Sequence, residues 1–323
     1  MKKRTPVKEN SIPPLKNIKI ANSGIRQYIN NTPVLTSGSI NKLANANLYF
    51  KCENFQKTGS FKIRGAMNAA LCLSKKELEK GIITHSSGNF AQALSYAARC
   101  IRAKAKIVMP KNVNPVKKDA VLGYGAEIIY SGNKPGDREK MCNDVISKTG
   151  AAFVHPSNDI NVITGHSTCA LELIKDTEKL DYVFAPVGGG GLLSGMAIGF
   201  YYYSPHTKVI AGEPLNADDA YLSIKAGKII PQVNPRTIAD GLKTSLGDIT
   251  FPIIQKYVHD IIRVSEEEII GAMRLIWERM KIIVEPSGAV SLAAMMQISG
   301  KLENKKIGII LSGGNVDLNN LPF

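Results

Sequence analysis

The 323-residue chain has no run of about 18 consecutive apolar residues, the length a membrane-crossing helix needs. Its first stretch, residues 1–19, is basic without an apolar centre, so neither a spanning segment nor a cleaved export signal is expected. Cysteine is sparse: Cys52, Cys72, Cys100, Cys142 and Cys169 stand singly with no CxxC pair, which fits reduced thiols and a cytoplasmic setting rather than a disulfide framework. Acidic charge is also short, 27 Asp+Glu against 41 Lys+Arg, for a net charge of +14. The basic excess is dispersed. Small clusters at 1–8, 104–106, 117–118 and 305–306 come without a long basic helix or an aromatic-interleaved motif. No nucleic-acid partner is therefore expected, and anionic small molecules are the better use of the charge. Aromatics make up 7%, but 44% of the residues are apolar and 21% charged, the balance of a globular chain rather than a disordered one. At roughly 100–200 residues per domain this is one large or two moderate domains, with no room for a separate regulatory module.

Short apolar, β-branched runs recur at 47–52, 81–85, 105–109, 127–130, 151–154, 182–187, 208–211, 260–264 and 306–311. Segments of helix length separate most of them, at 63–73, 89–100, 114–122, 137–148, 167–173, 192–200, 266–280 and 287–298. Strands apolar on both faces, alternating with helices, predict parallel sheets covered by helices: an α/β, doubly wound architecture. Ser265 with Glu268, and Ser74 with Glu77, mark helix starts by capping-box spacing. The Pro-, Asn- and Lys-rich stretch 226–236 is irregular but too short for an interdomain linker. Strand content within 81–155 suggests a compact sub-sheet inserted into a larger unit.

Four motifs carry chemistry. Pro186-Val187-Gly188-Gly189-Gly190-Gly191-Leu192-Leu193-Ser194-Gly195 follows a strand and opens a helix. Four successive glycines are entropically expensive, and their usual compensation is bare backbone N–H groups that wrap a phosphate at a helix N-terminus. The tract lacks the lysine of GxxxxGK[ST] and the full dinucleotide fingerprint, so a single phosphate monoester fits best, with a flexible turn as the alternative. In Gln56-Lys57-Thr58-Gly59-Ser60-Phe61-Lys62-Ile63-Arg64-Gly65-Ala66, Lys62 falls near a helix start, whose positive end disfavours an ammonium. Burial would lower its pKa further and free an amine able to form a Schiff base, although a snorkelling surface lysine is the plain reading of the motif alone. A monophosphate cup together with a reactive lysine suggests pyridoxal phosphate, whose aldehyde needs the amine and whose phosphate needs the loop. His85-Ser86-Ser87-Gly88-Asn89-Phe90-Ala91-Gln92-Ala93 stands at a strand end, where open α/β sheets bind ligands. Its hydroxyls, amide and backbone donors suit a substrate carboxylate, and a simple helix cap is the alternative. Leu311-Ser312-Gly313-Gly314-Asn315-Val316-Asp317 closes another strand.

Ser60-Phe61-Lys62-Ile63-Arg64-Gly65-Ala66, Ser86-Ser87-Gly88-Asn89, Gly188 through Gly191 and Ser312-Gly313-Gly314-Asn315 occur in the order and spacing of the fold-type II pyridoxal-phosphate enzymes. From 32 to 318 the chain resembles the tryptophan synthase β-like fold of that family, in its serine racemase and serine/threonine dehydratase (ammonia-lyase) branch. The resemblance implies two doubly wound parallel-sheet domains: a large cofactor-binding one from 1–80 and 158–323, and a small one, 81–157, inserted into it. It implies that Lys62 is the Schiff-base lysine, with Phe61 beside the ring. Gly188, Gly189, Gly190, Gly191 and Leu192 would hold the phosphate, Asn89 would bond the ring hydroxyl, and Ser312 would face the pyridine nitrogen. A serine there need not keep the nitrogen protonated, which favours elimination over transamination. Ser86, Ser87, Gly88 and Asn89 would receive the substrate. Lys62 would move the α-proton on one face and Ser87 supply a proton on the other, unless Ser87 only binds the carboxylate.

By the same resemblance, the segment Gly212-Glu213-Pro214-Leu215-Asn216-Ala217-Asp218-Asp219 looks like a divalent-metal site. Glu213, Asp219 and the carbonyl of Ala217 would ligate Mg²⁺, or Ca²⁺ or Mn²⁺, although a solvated acidic turn is the ordinary reading of such a cluster. Departures from the family pattern fall at Ser157, where Asn is usual, at Phe90, where His is common, and at Gly165-His166-Ser167-Thr168, where Gly-Gln-Gly-Thr is usual. They bear on the substrate, not the cofactor. Arg138 and Thr244 match positions that contact a dicarboxylate inhibitor in the racemases, and Lys57 and Thr58 match part of a nucleotide-effector site. The expected activity is elimination of water and ammonia from L-serine or L-threonine, giving a 2-oxo acid, with racemisation of serine beside it. Racemisation as the main reaction and threo-3-hydroxyaspartate ammonia-lyase activity are the alternatives, and a basic nucleic-acid-binding protein is the reading from another class. A homodimer is expected from the family.

Overall fold

The computed structural model describes residues 12–112, 115–134 and 136–323, so the basic cluster at 1–8 lies outside the described residues. Among the described residues ten strands are formed: β1 (Val34–Leu35), β2 (Asn47–Cys52), β3 (Ile82–His85), β4 (Ala105–Pro110), β5 (Glu127–Ser131), β6 (Ala152–Phe153), β7 (Tyr182–Pro186), β8 (Lys208–Pro214), β9 (Asp260–Val264) and β10 (Lys306–Leu311). They build a six-stranded sheet ordered β1-β2-β10-β7-β8-β9 and a four-stranded sheet ordered β5-β4-β3-β6. The four strands of the second sheet all lie between Ile82 and Phe153, and every strand of the first lies outside that interval. Pairing is parallel throughout except at the edge, where β1 runs antiparallel to β2. Two residues at an edge carry too short a pattern to be seen in sequence.

Both sheets are covered on both faces, which is why their strands are apolar at successive positions. In the large sheet Ile307 and Ile309 of β10 and Phe184 of β7 join the core beneath the helix Pro286–Gln297. Ile310, Val183 and Ala185 point the other way, into the core shared with the helix Gly191–Tyr203. In the small sheet Ile82, Ile107 and Met109 pack with the helix Asn89–Cys100, and Ile83 and Val108 pack with Cys142 of the helix Asp137–Thr149. Both capping boxes read from sequence are formed, Ser74 with Glu77 and Ser265 with Glu268. Among the described residues no helix is long and apolar enough to cross a membrane.

The helix Ile160–Asp176 is longer than the 167–173 expected. Its first half hides behind buried polar residues, Thr164, His166, Ser167 and Thr168, which blur the apolar period. Asp159 caps it by accepting from the N–H groups of Asn161 and Val162. At Gly165 the helix meets Lys62–Leu71 so closely that a Cβ would collide with the Arg64 carbonyl. A buried charge network locks the same contact. Arg64 donates to Glu53 at 2.7 Å and to Glu172 at 2.6 Å, and Lys51 donates to Glu172 at 2.7 Å. Two cations meet two carboxylates, so desolvation is offset by pairing. Burial alone would push the Glu53 carboxyl up, but Arg64 beside it holds it below the usual carboxylate range.

Candidate active site

The four motifs stand at the C-terminal ends of β2, β3, β7 and β10, the side on which open parallel sheets bind ligands. Backbone bonds tie the first and last together: Phe61 N–H donates to the Ser312 carbonyl at 3.0 Å, and Ser60 bridges Gly313. Lys62 is the first residue of the helix Lys62–Leu71 and is half-buried. Its Nζ donates to the Pro156 carbonyl at 3.3 Å and lies 4.9 Å from the Phe61 ring centroid and 5.9 Å from that of Phe90. Loss of hydration pushes its amine down to about 8, against the opposing pull of Glu285. The amine therefore sits against two aromatic rings rather than in open water.

The glycine tract leaves β7 and turns into the helix Gly191–Tyr203 through Gly190, whose φ of +83° favours a residue without a side chain. A Cβ on Gly189 would collide with the Ser157 hydroxyl and come within 3.2 Å of Thr244 Oγ1. Thr244 thus lies over the glycine tract, and Ser157, noted in sequence only as a departure, stands beside it. Thr250 Oγ1 donates to the Gly189 carbonyl at 3.1 Å and steadies the loop from below. Leu192 and Ser312 are both buried. Bare backbone at a helix N-terminus, hydroxyls at its rim and a lysine of lowered pKa are a donor set that fits pyridoxal phosphate.

Behind β3, Ser86 Oγ accepts from Gly88 N–H at 3.3 Å and shapes the turn. Ser87 Oγ lies 3.5 Å from the Arg138 guanidinium, so the structure brings these two together. Asn89 donates to Glu285 at 2.6 Å and accepts from Asn315 at 3.0 Å. Glu285 was not seen in the sequence. An acid before Pro286 reads as an ordinary helix-start residue, yet its side chain makes no cap bond.

At the end of β8, Glu213 is buried and accepts from the N–H groups of Ala220 and Tyr221, and Asp219 accepts from Leu246 N–H. Asp219 Oδ1 is buried without a partner. Burial pushes the two carboxyls up, Glu213 to about 9 and Asp219 to about 7, with neighbouring Asp218 adding to both. Among the described residues no three His, Cys, Asp or Glu side chains gather to hold a metal. Two carboxylates and a carbonyl still fit a hard cation that keeps its waters.

Comparison with known proteins places the chain in a family. The sequence profile of the pyridoxal-phosphate dependent enzyme family matches residues 25–313, and the chain belongs to that family. It is 49% identical over 311 residues to a serine racemase of Dictyostelium discoideum, covering 95% of this chain and 96% of that one. It is 45% identical to a beta-hydroxyaspartate dehydratase of Paracoccus denitrificans, covering 97% and 99% of the two chains. Among solved structures, a threonine deaminase from T.th. superposes with a TM-score of 0.90 at 42% identity, covering 95% and 99%. The chain is thus a pyridoxal-phosphate-dependent enzyme of mixed α/β fold.

Proposed function

We propose that this enzyme eliminates water and ammonia from L-serine or L-threonine and racemises serine at the same site. The observation that supports the reading is that two groups able to carry a proton line the site from different sheets. Lys62 is an amine of lowered pKa on the large-sheet side, and Ser87 is a hydroxyl paired with Arg138 on the small-sheet side. Gly188 through Gly191 and Leu192 would hold the phosphate and Ser312 would face the ring nitrogen. When bound, the cofactor supplies an aldehyde for the substrate amine and a ring that takes up the electron pair released at the α-carbon. Lys62 Nζ takes the α-proton. Ser87 Oγ, with the guanidinium beside it stabilising negative charge on its oxygen, returns a proton from the small-sheet side. Ser86 and Gly88 shape the turn that receives the substrate carboxylate.

Arg138 favours a second reading. A guanidinium beside Ser87 can also pair with a second substrate carboxylate, as in threo-3-hydroxyaspartate, and the dehydratase relative supports this. Glu213, Asp219 and the Ala217 carbonyl would hold Mg²⁺, Ca²⁺ or Mn²⁺. Division at 1–80 with 158–323 and 81–157, a homodimer, a cytoplasmic setting, and a nucleotide effector near Lys57 and Thr58 complete the proposal.

The test is proton NMR in D₂O of the cofactor-loaded enzyme with each of the three substrates and Mg²⁺, followed by chiral analysis. Deuterated D-serine beside pyruvate is the expected result with L-serine. Ser87→Ala should lower racemisation by about 10²–10⁴-fold while elimination persists. Equal loss of both activities would confine Ser87 to binding.

A further inference from the structure

One buried acid in the site has no part in the chemistry above. Glu285 is 2% exposed, and its own N–H donates to the Gly313 carbonyl at 3.0 Å. Gly313 leaves room for it, since a Cβ there would collide with Glu285 Oε1. That oxygen accepts from Asn89 Nδ2 at 2.6 Å, while Oε2 is buried with no partner. On the other edge of the Asn89 amide, Asn315 Nδ2 donates to Asn89 Oδ1 at 3.0 Å and to the Thr58 carbonyl at 2.8 Å. Asn315 spends its donors on two acceptors, so Asn89 Oδ1 must face Asn315 and Nδ2 must face the acid. One N–H of Asn89 is left unspent.

A buried carboxylate with a bare oxygen is unfavourable, whereas a neutral carboxyl can accept through one oxygen and keep an O–H on the other. The charges that face Glu285 come from three elements. Asp240 pushes its pKa up, and Lys117 and Lys62 pull it down, but burial outweighs the two lysines and moves the carboxyl up to about 8. We infer that Glu285 is a positioning residue: as a neutral acid it holds the Asn89 amide, which Asn315 grips from the opposite edge, so that the remaining N–H of Asn89 is presented to the cofactor ring. The inference rests on the reading of Asn89 as a cofactor contact.

The experiment compares wild type, Glu285→Gln, Glu285→Ala and Asn89→Ala holoenzymes, measuring the cofactor dissociation constant and the position of the visible absorption band from about pH 6 to about pH 10. Relative to Glu285→Gln, wild type should bind more weakly as pH rises through about 8. Glu285→Gln is neutral at every pH and still accepts from Asn89. It should follow the pH dependence of Lys62 without the alkaline loss, while Glu285→Ala weakens binding about tenfold at neutral pH. Lys62 titrates in all of these variants, so the difference between profiles reports the ionisation of Glu285, including its pull on Lys62. A Glu285→Gln profile that retains the wild-type step, or wild-type affinity in Glu285→Ala, overturns the inference. If Asn89→Ala leaves band and affinity unchanged, the Asn89 reading falls and takes the inference with it. If Asn89→Ala weakens binding and Glu285→Ala does not, only the role of Glu285 falls.

Discussion

At the scale of the residue, Lys62 shows how one side chain acquires its chemistry from its surroundings. Phe61 and Phe90 replace water around the amine, and among the described residues the polar contact at Nζ is a long one to a neutral carbonyl, so the proton is held weakly. The amine is pushed from its ordinary 10.5 to about 8, and only the neutral amine attacks an aldehyde. Cofactor uptake by the empty protein should therefore speed up as pH rises toward about 8 and level off above it, measured as the growth of the visible band. Between about 8 and 10.5 the unfolded chain binds this proton and the folded chain does not, so the contribution of Lys62 to stability rises with pH through that window. Lys62→Ala should lose the band and all turnover while melting as a folded protein. Turnover at the wild-type rate in that variant would sink the assignment. Lys62 was legible in sequence because its signal is contiguous: a lysine at a helix start after an aromatic, in company with a glycine tract. Glu285 was not, because its meaning comes from an amide 196 positions away.

Elements, in turn, hold such residues still. The helix Lys62–Leu71 carries the lysine at its first position and Arg64 one half-turn further on, so whatever fixes Arg64 fixes the amine. Arg64 is fully buried between Glu53, from the turn after β2, and Glu172, from the helix Ile160–Asp176. Arg64→Met fills much of the same space but leaves Glu53 without its cation, and should destabilise the protein by roughly 3–5 kcal/mol in urea melts. The measured loss should shrink at acid pH, because the Glu53 carboxyl, held low by Arg64, contributes stability above its unfolded value of 4.5 that is lost as pH falls. A loss independent of pH would mean that packing, not charge, braces the helix. Sequence placed this helix and its neighbours well where the apolar period was clean. It shortened Ile160–Asp176 because that helix buries hydroxyls and an imidazole rather than aliphatics, and a period count cannot register burial of polar groups.

For the molecule as a whole, the alternation of β-branched runs and helices disclosed two covered parallel sheets, whereas the contacts between those sheets depend on long side chains that no period reveals. The small sheet is reached by two chain crossings and shares an apolar core with Ile63, Ala66 and Met67 through Phe90 and Leu94, while polar side-chain ties to the rest of the molecule stand at the site: Asn89 with Glu285 and Asn315, and Lys117 with Asp240. Lys117 lies on the helix Pro115–Gly123, and Asp240 opens a turn whose Leu242 packs against Gly188. Asp240 is 48% exposed in its side chain, so the pair contributes little to stability, about 0–1 kcal/mol. Its influence on Glu285 is of another kind. Asp240 pushes that carboxyl up and Lys117 pulls it down, so removing either partner also unmasks the other. Asp240→Asn should move the alkaline step in cofactor binding to lower pH, because an opposing anion is gone and a cation is freed. Lys117→Met should move it to higher pH for the converse reason. Both substitutions break the same ion pair, so a purely mechanical coupling between the sheets predicts shifts of one sign, and an electrostatic coupling through Glu285 predicts shifts of opposite sign. Titration of cofactor affinity in the two variants separates them, and equal displacement in one direction would rule the electrostatic route out.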